Sequence, residues 1–194
     1  MHLVVDLETM NTDNDAIILQ IGGALFGTKP FEVIGEFNVA VSGADCLAHG
    51  MTLSWDTLRF WFDQRHDLAE NVLFNTTAVP LRMALELFSS WYKAMNDRYH
   101  ISELWSRGPA FDIAILQDAY QRLGMATPWG YRVPSCERTL YRRAEHHGWE
   151  QPPRTDNQVH DALADARHQA KCVASAVTFL NDLVRVPPVE NPVP

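Results

Sequence analysis

Five residues far apart in the chain are of types that together could hold cations and move a proton: Asp6, Glu8, Asp112, His160 and Asp165. Asp6 and Glu8 close the run Leu3-Val4-Val5-Asp6-Leu7-Glu8, whose apolar, β-branched start predicts a buried strand ending in polar residues. Side chains alternate along a strand, so residues two apart share a face and both carboxylates come together at its polar end. Two adjacent carboxylates invite a hard cation. Alone, an Asp-x-Glu pair is more often the solvated end of a strand, so the reading needs partners from elsewhere in the chain.

Asp112 follows Phe111 at the start of a helix with an apolar stripe, just after a short strand. A carboxylate there favours the helix dipole, and a helix entered from a neighbouring strand's end would bring it near Asp6 and Glu8. The segment His160-Asp161-Ala162-Leu163-Ala164-Asp165-Ala166 supplies the other two candidates. It reads as the opening of a helix with His160 at its start and Asp165 five residues on. Ala162, Ala164 and Ala166 would let that helix approach a sheet closely, leaving room at its N-terminal end for ions and a phosphate.

The elements that must position these residues can be read in outline. Strands are expected from Ala16 to Phe26, broken by Gly22-Gly23, and from Glu32 to Val41, joined by a turn through Gly27, Thr28, Lys29 and Pro30. With the first strand they predict an antiparallel meander. Ser54 is placed to cap a helix carrying Leu58, Trp61 and Phe62, and Pro80 to open another carrying Leu81, Leu85, Phe88 and Trp91. A strand at Glu103 to Ser106 leads to the helix of Ile113, Leu116, Tyr120 and Leu123, which Gly124 ends. A strand from Tyr131 to Val133, a helix from Ser135 to His147 and a long helix from His160 to Leu183 complete the reading. Residues 1–184 are expected to form one domain, and the prolines of residues 185–194 to make an extended or disordered tail.

A chain of 194 residues, 46% apolar, can bury a substantial core. Its net charge of −8 argues against a protein that coats nucleic acid through bulk positive charge, so any such contact must be local. Part of the acidity fits carboxylates gathered around divalent cations. Cys46, Cys136 and Cys172 are odd in number and form no Cys-x-x-Cys pair, which suggests neither a disulfide framework nor structural zinc and suits a reducing cytoplasm. No run of about 18 apolar residues occurs, so neither a signal peptide nor a membrane span is expected.

Asp-Leu-Glu-Thr-Met at 6 to 10, Phe-Asp at 111 and 112, and His-Asp-Ala-Leu-Ala-Asp-Ala at 160 to 166 resemble, in order, the motifs of the DEDDh exonucleases. The likeness runs from Asp6 to about Leu180. It is strongest to the phage and prophage exodeoxyribonuclease VIII-like branch and to small bacterial 3′-5′ exoribonucleases of the ribonuclease T-like superfamily. The resemblance implies an α/β, ribonuclease H-like mixed sheet, its first three strands antiparallel and later ones parallel, flanked by helices. It also implies two Mg²⁺ or Mn²⁺ ions, with Asp6 contacting both, Glu8 and Asp165 completing one site and Asp112 serving the other. His160 would be the general base. Arg107 departs from the pattern, standing where relatives often carry a small polar residue.

The residue types suit this chemistry on their own terms. Phosphodiester hydrolysis needs an activated water, charge stabilisation on the phosphoryl oxygens and help for the departing 3′ oxygen, all within reach of a paired-metal site. Histidine, with an unperturbed pKa of about 6.5, suits proton transfer near neutral pH. Candidate substrate contacts are Thr9, Met10, Phe111 and Arg138, with Met10 expected against the last base. Trp55, Trp61, Phe62 and Trp105 are candidate stacking surfaces, Trp61 belonging more naturally to the core. The stretch from Arg122 to Arg154 is the most basic of the chain and the best phosphate-tracking candidate. The expected activity is 3′-5′ hydrolysis of single-stranded DNA or RNA; phosphodiesterase action on short oligonucleotides and an inert nucleic-acid or partner-binding role stay open, as does a homodimer.

Overall fold

The computed structural model describes residues 1–64, 72–108, 110–155 and 159–185. Five strands, β1 (His2–Thr9), β2 (Ile18–Thr28), β3 (Phe31–Ala40), β4 (Glu103–Ser106) and β5 (Pro134–Cys136), form one sheet in the order β3-β2-β1-β4-β5. The first three pair antiparallel, and β4 and β5 add in parallel beyond β1. The expected mixed sheet is therefore present, with β1 at its centre. Helices α1 (Gly43–Ala48), α2 (Trp55–Asp63), α3 (Leu81–Tyr99) and α4 (Asp112–Arg122) precede α5 (Glu137–His146) and α6 (Ala162–Arg185).

The alternation of β1 sorts its side chains into two cores. Leu3, Val5 and Leu7 point into the larger one, with Trp61, Leu85, Phe88, Leu116 and Tyr120 of α2, α3 and α4. Val4 points the other way, into a smaller core with Trp105, Tyr141, Ala166, Ala170 and Val173 under α5 and α6. Asp6 and Glu8 share the parity of Val4, so both face α6. Helix starts follow the expected chemistry: the Ser54 hydroxyl accepts the Thr57 amide at 3.1 Å to cap α2, and Asp45 accepts the Leu81 amide at 2.8 Å where α3 begins after Pro80.

Several boundaries differ from the sequence reading: the helix expected from Ser135 begins only at Glu137, because Ser135 and Cys136 pair with Trp105 and Ser106 in β5. β2 runs unbroken through Gly22 and Gly23, because the glycines serve close packing and not a chain break. Gly22 lies opposite Asp6 in the ladder, and a Cβ there would stand 2.2 Å from the backbone of Ala162. Only glycine lets α6 begin directly on the sheet beside Asp6. The last strand is Pro134–Cys136 and not Tyr131–Val133, since the Val133 amide closes a turn onto the Gly130 carbonyl at 3.1 Å and the ladder starts only afterwards. Proline is tolerated as that strand's first residue. The last helix starts at Ala162, leaving His160 outside it, and runs to Arg185; residues 186–194 of the expected tail lie outside the described residues. No described helix is long and apolar enough to cross a membrane.

Gly22→Ala is expected to destabilise the protein by about 2 kcal/mol or more, because backbone atoms cannot yield to the new methyl as a side chain would. Gly23→Ala, whose Cβ would meet Phe37 and Trp91 at an ordinary 3.5 Å, is expected to fold with little loss. Urea denaturation of the two variants checks this; equal stabilities would remove the close approach as a determinant of the fold.

Candidate active site

The C-terminal end of β1 opens into a cleft of about 950 Å³. Asp6, Glu8 and Thr9 of β1, Arg107, Phe111, Arg154, His160 and Asp165 line it, and Thr57, Phe60 and Trp61 of α2 form a wall. The acidic side chains arrive by three local devices. Asp6 and Glu8 come by strand alternation. Asp112 arrives from the first turn of α4: the β1–β4 ladder ends at the Val4–Trp105 pair, and beyond it Asp112 Oδ1 accepts the Leu7 amide at 3.1 Å, taking the place of a strand partner. Its second oxygen is buried without a hydrogen-bond partner among the described residues.

Asp165 sits one turn into α6. The start of this helix is fixed by Asp161, whose Oδ1 accepts the Ala164 amide at 2.9 Å, and by Gln20 of β2, whose side chain accepts the Ala162 amide at 3.1 Å. His160 stands two residues before the helix at φ 62°, a left-handed conformation that costs a non-glycine residue about 1 kcal/mol or more. Asp165 Oδ2 accepts the His160 amide at 2.9 Å and holds that conformation in place. The imidazole meets Phe60 edge-on with centroids 5.0 Å apart, and Trp61 at 6.2 Å. Trp61 is therefore core and cleft wall at once, fastened by its indole N–H to the Thr9 carbonyl at 3.0 Å.

Ligand atoms of Glu8, His160 and Asp165 all lie within 4.8 Å of one another, a group that could hold a metal ion. Burial holds Asp6 well above the usual carboxylate range, reinforced by the charges of Asp112, Glu8 and Asp165 and opposed by a 2.6 Å hydrogen bond from Gln169. Glu8 is raised by burial and by Asp165, Asp161 and Asp112, with Arg154 opposing. Burial pushes Asp112 up to about 7 against the amides of Leu7, Asp112 and Arg107 and the charge of Arg138. Acids this unwilling to ionise, with an oxygen lacking a partner, fit hard divalent cations.

The structure thus gathers Asp6, Glu8, Asp112, His160 and Asp165 at one end of one strand. Thr9 and Phe111 also line the cleft. Met10 does not: a bulge between Glu8 and Thr9 shifts the alternation, so Met10 turns into the larger core at 7% exposure. Arg138 is exposed and lies over Gly108, beside the cleft instead of lining it. Trp105 is no stacking surface; it is buried and donates to His2 Nδ1 at 3.2 Å. The sequence reading missed Gln169, which helical spacing from Asp165 would have found, and Phe60, which carried no local signal.

The sheet order, with helices on both faces and an acidic cleft at the end of the central strand, is that of a ribonuclease H-like fold. Among solved structures, the cell-death related nuclease 4 (CRN-4) matches with TM-score 0.59 and 14% identity over 91% of this chain, which spans 63% of that chain. The nuclease domain of 3′hExo, described as a DEDDh family member bound to rAMP, matches with TM-score 0.56 and 17% identity, covering 93% of this chain and 91% of that one. A full-length 3′-exonuclease matches with TM-score 0.50 and 16% identity, covering 93% and 81%. No curated protein sequence matches. The sequence does match the 3′-5′ exoribonuclease Rv2179c-like domain over residues 1–177, and the chain belongs to that family. It is a 3′-5′ exonuclease, a hydrolase.

A carboxyl whose folded pKa lies above its unfolded value stabilises the fold at low pH and loses that contribution as pH rises through the folded value. For Asp112 the window runs from the ordinary aspartate value of 3.8 to about 7. Melting temperatures in chelator should therefore fall across that window, Mg²⁺ or Mn²⁺ should restore them at its upper end, and Asp112→Asn should flatten part of the fall. An identical profile in Asp112→Asn would contradict the assignment of strain to this carboxyl.

Proposed function

We propose that the protein shortens single-stranded nucleic acid, RNA before DNA, from the 3′ end and releases nucleoside 5′-monophosphates, using two Mg²⁺ or Mn²⁺ ions and His160 as general base. The observation that carries this reading is the convergence of four carboxylates and one histidine on the end of β1. Membership of a family described as exoribonucleases favours RNA, and it favours kinship with the small bacterial exoribonucleases over the phage exodeoxyribonuclease VIII-like branch. The solved neighbour carrying rAMP points the same way.

Asp6, Glu8, Asp112 and Asp165 are the residues that would hold the ions. When bound, the ions supply charge stabilisation at the phosphoryl and departing 3′ oxygens and help activate the water. The rest falls to the chain. His160, its ring steadied by Phe60 and its backbone by Asp165, takes the proton from the attacking water. Thr9 and Phe111 flank the terminal nucleotide, and the exposed guanidiniums of Arg107 and Arg138, on the Asp112 side of the cleft, meet phosphates further along the strand. Trp55 and Phe62, 78% and 69% exposed on α2, offer an apolar face for a homodimer. Three cysteines without a disulfide suit a cytoplasmic protein.

Matched 5′-labelled single-stranded RNA and DNA, with Mg²⁺, Mn²⁺ or chelator, test the reading. A ladder receding from the 3′ end is expected, faster on RNA and absent in chelator. Asp6→Ala should abolish it without unfolding the protein. His160→Ala should retain bound metal and slow the reaction by about 10²- to 10⁴-fold. Full activity in Asp6→Ala would sink the reading, undiminished turnover in His160→Ala would assign the base elsewhere, and rapid cleavage of dinucleotides alone would shift the substrate to short oligonucleotides.

A further inference from the structure

Asp165 is not idle in this structure. Its Oδ2 accepts the His160 amide at 2.9 Å, and its Oδ1 accepts a hydrogen bond from Arg154 Nη1 in a direct ion pair. Both side chains of that pair are only 18% exposed, so water screens the attraction weakly. Arg154 also lines the cleft, and its charge is felt at Glu8. The guanidinium thus stands among the acids that the proposed function gives to the ions.

We propose that Arg154 is an internal counter-cation that competes with a divalent ion for Asp165, and that the ion displaces it toward a substrate phosphate, so that metal and nucleic acid load together. This inference rests on the carboxylate cluster being the metal site. Carboxylates gathered in a partly desolvated cleft favour positive charge beside them, and Arg154 supplies it directly at Asp165. An arginine cannot discharge itself by losing its proton. Once a divalent ion sits on Asp165, two cations share one carboxylate, and the guanidinium's hold on it weakens. A phosphate is the best geometric match for its fork of donors. Residues 151–155 belong to no helix or strand, so no ladder breaks when Arg154 withdraws.

Calorimetric titration of the full chain with Mn²⁺ alone, and again with adenosine 5′-monophosphate present, tests the proposal. Arg154→Ala and Arg154→Gln are expected to bind Mn²⁺ about tenfold more tightly than the parent when no nucleotide is present, the value of one charge-assisted hydrogen bond removed from competition. Arg154→Lys, which keeps the charge, should stay near the parent. The nucleotide should tighten Mn²⁺ binding severalfold in the parent and in neither neutral variant. Without metal, the neutral variants should melt at lower temperature, and Mn²⁺ should raise their melting temperature by more than it raises the parent's. Unchanged or weaker Mn²⁺ binding in both neutral variants would overturn the proposal and make Arg154 an anchor that orients Asp165. Nucleotide coupling that survives in them would overturn it equally, by showing that the link does not run through this side chain. Asp6→Ala separates the two levels of the argument: if it binds Mn²⁺ as the parent does, the carboxylate cluster is not the metal site and the functional reading itself fails.

Discussion

Like charges held at close range in a partly desolvated cleft are the constraint on which the rest of this structure depends. Burial raises the pKa of Asp6, Glu8 and Asp112, and the charges of neighbouring carboxylates raise Asp6 and Glu8 further. Left to themselves these side chains would part. They are kept together because each is fixed through its backbone to an element that cannot give way: the central strand, the first turn of α4 bonded to the Leu7 amide, and the first turn of α6 clamped to β2 through Gln20. The stability lost at the cleft is offset in two hydrophobic cores, one on each side of the sheet.

The approach of α6 to the sheet is what turns three separate carboxylates and a fourth into one site. Gly22 removes the side chain that would lie between them, and the buried alanines Ala162, Ala166 and Ala170 keep the helix's sheet-facing side thin. Once the helix lies this close, Asp165 and Gln169, one turn apart, both face β1; Gln169 then steadies Asp6 by a hydrogen bond. On the opposite wall, α2 supplies aromatic surface and not charge. Phe60 and Trp61 confine the His160 ring without neutralising the acids near it. A cleft acidic at its floor, aromatic on one side and lined by arginines on the other has the polarity that a phosphate chain held by divalent ions requires.

An acidic protein that acts on a polyanion must confine its attraction to a small region. Here that region comprises the ions the carboxylates would bind, together with Arg107, Arg138 and Arg154 around the cleft. Such a distribution suits an enzyme that grips the end of a strand over one that wraps its length. It also explains why a net charge of −8 gave no direct signal of the substrate class.

Sequence alone determined the identity of the chemical groups and much of their placement, because strand alternation and helix capping are local rules. Asp6 and Glu8 share a face by parity, Ser54 caps α2, and Pro80 opens α3, all within a few residues of the signal that announces them. The antiparallel meander of the first three strands likewise followed from the turn residues between them, while the parallel additions were implied by the family resemblance. Tertiary structure decided everything that depends on two distant segments meeting. The bulge after Glu8 turned Met10 inward, and the turn at Gly130 delayed β5 to Pro134. Asp165 could hold His160 in a left-handed conformation only because α6 starts where Gly22 lets it. Trp105 was drawn into the second core, and Arg154 came to pair with Asp165. These outcomes follow from packing and charge balance between elements, which no spacing within a single segment encodes.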